Sequence, residues 1–328
     1  MAERNFDRRH FLTGLGAAGL AGALPAFGQS GFPTKQITAI APFTPGGMTE
    51  VFFRPMWNLA SAKLGQKVIV EYKPGASGGV AAAALGRTPA DGYNLLHLYA
   101  TLLQTPFLED VAYHPLRDFT YIISMGDAIY GTVVAADSPY KTFNDLMAEG
   151  KRRPGALTYG VSGLGTGGHI MFEEISRAAG AEFRVIPYKG VDNLTALLGG
   201  HVDIAVGGTS WGPQVKAGKL RALSVFSRER LKNYADVPTV QELGFGSQEP
   251  MPFGIVGPAG MNPAVVRTLH DAIKSAIDSP EMQTIMDARD IPRLYMNSAD
   301  YTRWVAKAFV ERGETLKRMK LAIREPKL

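Results

Sequence analysis

The feature that most limits the folds open to this chain is an alternation. Short apolar runs at Ile37 to Pro42, Val68 to Glu71, Asn94 to Leu98, Leu157 to Gly160, Phe183 to Ile186, Ile204 to Val206, Leu220 to Phe226 and Phe253 to Val256 are separated by segments of helical period, such as Met48 to Leu64, Gly168 to Ala179 and Leu194 to Leu198. Strands of this length taking turns with helices predict an α/β protein, with mainly parallel sheets covered on both faces. From Pro263 onward only helical patterns appear: Pro263 to Ile277, Pro280 to Arg289 and Ser298 to Met319. The first two open on proline and the third on a Ser298 cap. These helices need a sheet to cover, so the chain is expected to leave a first lobe, build a second and return, crossing near Gly126 to Val133 and near Gln248 to Phe253. A length of 328 residues exceeds one ordinary core and agrees with two lobes, 29–128 with 253–328, and 129–252.

The first residues read as an address. Arg4, Arg8 and Arg9 precede the stretch Leu12 to Leu24, which holds only Leu, Ala and Gly apart from Thr13. That stretch is shorter than the roughly 18 to 20 apolar residues a helix needs to span a bilayer, so it reads as a removable leader, residues 1–28, cut after Gly28. The Arg8-Arg9 pair directly before the apolar run is the twin-arginine export pattern, which directs the mature chain to the periplasm.

Composition removes several classes of function. There is no cysteine, hence no lipid anchor on a thiol, no disulfide framework and no thiol chemistry. The formal charge is +5, and the leader holds three arginines against Glu3 and Asp7, a surplus of one, which leaves +4 for the rest. Lys151-Arg152-Arg153 ends an expected helix, where cations complement the dipole, and no basic stripe suits a nucleic acid. The histidines His10, His97, His114, His169, His201 and His270 show no metal-ligand spacing, so neither a metal nor any other cofactor is expected. Trp57 and Trp304 fall on expected helices as core residues.

Chemistry is expected in loops. Pro42-Phe43-Thr44-Pro45-Gly46-Gly47-Met48-Thr49-Glu50 runs from a strand into a helix, and Gly46 and Gly47 let the backbone turn N–H groups outward beside a helix N-terminus, a place for an anion. Val161 to His169 repeats the arrangement with Gly163, Gly165, Gly167 and Gly168, and Pro187-Tyr188-Lys189-Gly190 does so ahead of Val191. All three follow strand C-terminal ends, where open α/β sheets bind ligands. Two other readings compete. Gly163, Gly165 and Gly168 satisfy G-x-G-x-x-G, yet no acidic residue ends the next strand to hold a ribose. Gly208-Thr209-Ser210-Trp211-Gly212 satisfies G-x-S-x-G, yet Pro213 to Gly218 is too short for the long helix that should follow, and His270 lies inside a helix.

The segments APFTPGGMTE, VEYKPGASGG, PADGYNLL, YGVSGLGTGGH, VIPYKGVDNLTALLGGHVD, VKAGKLRALSVFS and PAGMNP, in this order and spacing, resemble the periplasmic substrate-binding receptors of tripartite tricarboxylate transporters. The similarity covers almost the whole mature chain. It implies a type II periplasmic binding-protein fold, a ligand cleft between two α/β lobes, a small carboxylate ligand, the membrane subunits of the transporter as partners, and a monomer. It also implies site residues: Phe43, Thr44, Gly46, Gly47, Thr49 and Glu50 on the first loop; Tyr99, Ala100 and Thr101 after the third strand; Ser162, Gly165, Thr166, Gly167 and His169 on the second loop; then Tyr188, Lys189, Asp203 and Thr209. Glu50 stands where the family usually carries Asp, and Gly167 and Gly168 where it usually offers serines, so an amino-acid or citrate ligand is not implied. Three readings result: a solute receptor without catalysis, a secreted serine hydrolase using Ser210, and a sensor that presents its ligand-bound form to a signalling partner.

Overall fold

The computed structural model describes residues 31–245, 249–321, 324 and 326; the expected leader, with Arg8, Arg9 and the cut after Gly28, lies outside them. A first sheet begins with β1 (Ile37–Ala41), β2 (Val68–Tyr72), β3 (Asn94–Tyr99) and β4 (Phe119–Asp127). A second is made of β5 (Tyr130–Ala135), β6 (Thr158–Val161), β7 (Arg184–Pro187), β8 (Ile204–Gly208) and β9 (Leu220–Phe226). The chain then rejoins the first with β10 (Pro252–Pro258) and β11 (Arg293–Met296). The strand orders are β11-β4-β10-β3-β1-β2 and β7-β6-β8-β5-β9.

Helices α1 (Arg54–Leu64), α2 (Gly79–Leu85) and α3 (Thr101–Leu108) follow the first three strands. The second lobe carries α4 (Phe143–Arg152), α5 (Gly167–Ala179), α6 (Asp192–Leu198) and α7 (Gly212–Lys216). The return segment supplies α8 (Pro263–Ile277), α9 (Pro280–Ala288) and α10 (Ser298–Arg318). Side chains alternate across a strand, so neighbours feed opposite faces. Leu95 and Ile255 join Phe53, Trp57, Leu269 and Ile273 on one face of the first sheet, whereas Leu96 and Val256 join Leu103, Tyr301 and Val305 on the other. Each such side chain contributes roughly 1.5–3 kcal/mol on burial. Within the first of these cores Trp57 Nε1–H donates to His97 Nε2 at 2.8 Å, and the Phe53 ring stacks on His97 at 3.9 Å. Burial, with the Arg54 charge second, pushes His97 down to about 3, so it stays neutral.

The expectation of mainly parallel sheets needs correction. β1 pairs parallel with β2 and β3, and β6 with β7 and β8, but β10 runs antiparallel to β3 and β4, and β5 antiparallel to β8 and β9. The strands beside the two crossings carry this reversal, because a chain passing from sheet to sheet enters the second one from the opposite end. β4 and β5 went unread because Thr120 and Ser124 in the one, and Gly131 and Thr132 in the other, break their apolar runs. The all-helical C-terminal part is also corrected: Arg293–Met296 pairs with β4 at the sheet edge, too short to show a period. The last helix is capped by Asn297, whose Oδ1 accepts the Asp300 N–H at 2.9 Å; Ser298 Oγ–H donates instead to the Tyr121 carbonyl.

The chain leaves the first sheet after Asp127 and rejoins it at Pro252. Asp127 Oδ1 accepts the Met251 N–H at 2.7 Å, which ties the two crossings together. Arg312 of α10 reaches the same place, donating to Pro250 O at 3.1 Å and to Gln104 Oε1 at 3.2 Å, while Gln104 donates to Gly165 O in the second lobe.

Candidate functional site

Between the sheets, loops from both lobes enclose a cavity of ≈ 230 Å³. Phe43, Thr44, Gly46, Gly47, Met48, Thr49 and Val51 come from behind β1, Tyr99 and Thr101 from behind β3, and Ser162 and Thr166 from behind β6. Gly190, Val191 and Asn193 follow β7; Gly207, Gly208, Thr209, Ser210 and Pro213 end β8 and follow it. Ala128, Ile129 and Tyr130 join from the crossing, Arg289 and Ile291 from the turn between α9 and β11. At ~30 Å³ per water the cavity equals roughly eight waters, which suits a small metabolite.

On the first loop Gly46 has φ +98°, the left-handed region where a Cβ is costly, whereas Gly47 does not. The Gly46 N–H is already engaged: it donates to Glu50 Oε2 at 2.8 Å, and Glu50 also accepts from the Tyr72 hydroxyl and from Arg54. Burial alone would raise the Glu50 carboxyl, but the hydrogen bonds from Tyr72, Gly46 and Arg54 outweigh it and hold it below 4.5. Glu50 therefore braces the loop and does not line the cavity. A short π-helical turn, Thr49–Phe53, continues into α1, and no side chain caps its start.

The second loop opens α5 in the same way. Thr166 occupies the N-cap position, but its Oγ–H donates back to Gly163 O at 2.9 Å, so no side chain caps the first turn. The first N–H groups of a helix have no acceptor within it. Here the helix starts at Thr166 on the cavity wall, and such an end suits an anion. Gly167 serves packing, since a Cβ would run into Tyr130 and Met251. His169 lies behind the loop: its Nδ1 accepts the Gly165 N–H at 2.9 Å, burial lowers its pKa, and with Gly165 it borders a separate groove shared with Glu173 and Arg177.

Gly190 on the third loop has φ +55°, and a Cβ there would collide with Thr44 Oγ1 of the opposite lobe. That Thr44 hydroxyl is buried with no hydrogen-bond partner. Tyr188 and Lys189 do not line the cavity; the Tyr188 ring packs beside Gly160. Asp203 accepts the Thr158 N–H and Oγ–H, both at 2.8 Å, at the opposite ends of β6 and β8 from the cavity. Ala100 is buried in the second lobe's core cluster.

The structure thus brings together Phe43, Thr44, Gly46, Gly47, Thr49, Tyr99, Thr101, Ser162, Thr166 and Thr209, and sets Glu50, Ala100, Gly165, Gly167, His169, Tyr188, Lys189 and Asp203 behind or beside them. Sequence reading missed Ile129, Tyr130, Asn193, Arg289 and Ile291. Asn193 had a signal, a polar residue facing inward on α6, where it donates to Gly160 O and Val206 O at 3.3 and 3.2 Å. Arg289 had none, because the return helices were read only as cover.

Among the described lining residues there is no Asp, Glu, Lys or His, and Arg289 is the one charge. Ser210 Oγ has only the Gly208 carbonyl at 3.4 Å, so no lining residue can serve as its general base. His270 is occupied elsewhere by Asp271 and Tyr295, at 2.8 and 3.0 Å. Burial pushes Tyr130 up to about 12 and Tyr99 higher, so both phenols stay neutral. The lobes touch around the cavity: Ser77 Oγ–H donates to Leu164 O at 2.7 Å, and Thr209 Oγ–H to Arg289 O at 3.2 Å. No helix among the described residues is long and apolar enough to cross a membrane.

The family model for the tripartite tricarboxylate transporter family receptor matches residues 52–321. A Cupriavidus necator protein, "UPF0065 protein in gbd 5'region", is 39% identical over 324 residues, 96% of this chain and 99% of its own. The solved periplasmic binding protein BugD superposes with a TM-score of 0.84 at 26% identity, covering 89% of this chain and 99% of that one. An R. palustris protein solved with adipate gives the same TM-score at 28% identity and the same coverage. An uncapped α5 facing a glycine-rich loop across a cleft without acids, carried on a fold shared with these proteins, fits the assignment: the chain belongs to the tripartite tricarboxylate transporter receptor family of periplasmic solute-binding proteins.

Proposed function

We propose that the protein is a non-catalytic receptor that captures a small carboxylate in the periplasm and presents it to the membrane subunits of a tripartite tricarboxylate transporter. The lobes, 29–128 with 253–328 and 129–252, close on the acid as a monomer, and Arg8-Arg9 directs export. One observation carries the reading: the uncapped start of α5, at Thr166, and the buried, unpartnered Thr44 hydroxyl of the other lobe border one cavity that has no acidic lining. A carboxylate finds hydrogen-bond donors in that cavity and meets no repulsion. The adipate bound by the R. palustris relative supports the ligand class. Four charge-assisted hydrogen bonds at about 1.5–3 kcal/mol each, less ordering costs, support micromolar binding, about 8 kcal/mol.

A thermal-shift screen tests this. A ligand at a hundred times its Kd adds about 2.7 kcal/mol of stability. Mono-, di- and tricarboxylates and aromatic acids are compared with their neutral amides. At least one acid raises Tm while its amide does not. Stabilisation by amides and amines alone contradicts the reading.

A further inference from the structure

The described cavity lining includes a single residue that carries a charge, Arg289, at the far edge of the first sheet from the glycine-rich loop. That loop follows β1, whereas Arg289 precedes β11, with β3, β10 and β4 between them. Its guanidinium makes no hydrogen bond or ion pair with any described residue. Its backbone is held on several sides. The Arg289 N–H donates to Ile285 O at 3.1 Å, and its carbonyl accepts the Thr209 hydroxyl from the second lobe at 3.2 Å. The next residue, Asp290, turns at φ +48° and accepts the Asn233 N–H at 3.0 Å, while Asn233 Nδ2 donates to Asp287 O at 2.8 Å. A fixed backbone thus carries an exposed cation, without a hydrogen bond or ion pair among the described residues, on a residue that borders the cleft. The C-terminal end of α9 favours a positive charge there.

The rest of the lining gives that cation a purpose. Val51, Ile129, Val191 and Ile291 contribute apolar surface, and no acid is present to neutralise a guanidinium. We infer that Arg289 is the specificity-determining residue for a second anionic group, so that the ligand is a dicarboxylate whose two charged ends are separated by an apolar spacer. This rests on the carboxylate reading above and assigns the far end of the same site. The planar fork of Arg matches a carboxylate through two parallel N–H···O bonds, which lysine cannot reproduce. Because Thr209 and Asn233 reach the Arg289 turn across the cleft, the second anion is gripped only when the lobes meet.

The test uses the mature chain and Arg289→Gln and Arg289→Lys variants. Titration calorimetry measures α,ω-dicarboxylates of four to eight carbons, adipate among them, against the monocarboxylates of equal length. Wild type prefers the dicarboxylate of the best length. Arg289→Gln weakens that acid about tenfold, between the worth of an exposed and a buried charge pair, and leaves its monocarboxylate within about twofold. Arg289→Lys recovers part of the preference, and all three melt alike because the side chain has no partner. Raised ionic strength narrows the wild-type preference. An Arg289→Gln protein that keeps the wild-type ratio overturns the assignment of Arg289, as does a wild type that takes monocarboxylates equally well. If no acid in the series binds wild type, the carboxylate reading itself falls and Arg289's role with it.

Discussion

Gly190→Ala separates lobe closure from folding. Gly190 sits at φ +55°, so an Ala there costs about 1–2 kcal/mol whether the lobes are open or closed. For a chain of this size that lowers Tm by roughly 2–8 °C. In the closed form alone, the new Cβ also meets Thr44 Oγ1 across the cleft. Overpacking of this kind costs about 1–3 kcal/mol, and because the ligand is held by the closed form, Kd rises about five- to 150-fold. Gly180→Ala is the control. Gly180 has φ +69° behind α5, with nothing nearer than Lys151 Cε at 3.9 Å, so it carries the backbone cost without the collision. In a Thr44→Ala background the obstructing oxygen is gone and the nearest atoms are the Thr44 Cβ and N, at 3.4 and 3.5 Å, so adding Gly190→Ala there costs little further affinity. Calorimetric titration with the acid found by thermal shift, alongside melts of each variant, reads both effects. The reasoning is refuted if Gly190→Ala binds like wild type, or if it loses as much affinity with Ala at 44 as with Thr.

Other perturbations follow from single contacts. Glu50→Gln loosens the first loop, and the effect depends on pH with a fixed sign. The folded carboxyl titrates below 4.5, so its stabilisation is present at neutral pH and lost as pH falls through that depressed value. The Tm gap to wild type closes below about pH 4; a gap constant from about pH 7 to 3 contradicts this. Trp57→Phe strips His97 Nε2 of its buried donor and costs about 1–3 kcal/mol, a fall in Tm of roughly 2–12 °C, so an unchanged melt refutes the role given to that bond. Replacing Arg8 and Arg9 by Lys leaves the protein in the cytoplasm, and fractionation showing undiminished periplasmic yield rules out the twin-arginine route.

Much of this architecture is written locally. Runs such as Ile37 to Pro42 and Leu220 to Phe226 became strands because period-2 and continuous apolar patterns need only near neighbours to be read. Proline after Asn262 and after Ser279 marked two helix starts for the same reason. What stayed hidden depends on where distant segments meet. β11 is an edge strand of four residues whose pairing with β4 no periodicity announces. Glu50 was implied as a ligand residue by the family resemblance, in place of the usual Asp, yet Tyr72 and Arg54 draw it back against the loop. Asp203 was implied by the family resemblance alone, and it sits at the far end of a strand that leads to the cleft. Arg289 reaches the cleft only because the chain returns to its first sheet after building the second lobe.

The central claim, that two lobes clamp a carboxylate, is tested most directly by small-angle scattering on the mature protein with and without a saturating acid. The cross-cleft contacts at Ser77 with Leu164 and at Thr209 with Arg289 belong to the closed form, and a bound anion favours that form over the open one. The account predicts a smaller radius of gyration with the acid that stabilises the fold in thermal shift, and no change with its neutral amide. An equal radius of gyration with and without the acid, at saturation, contradicts it.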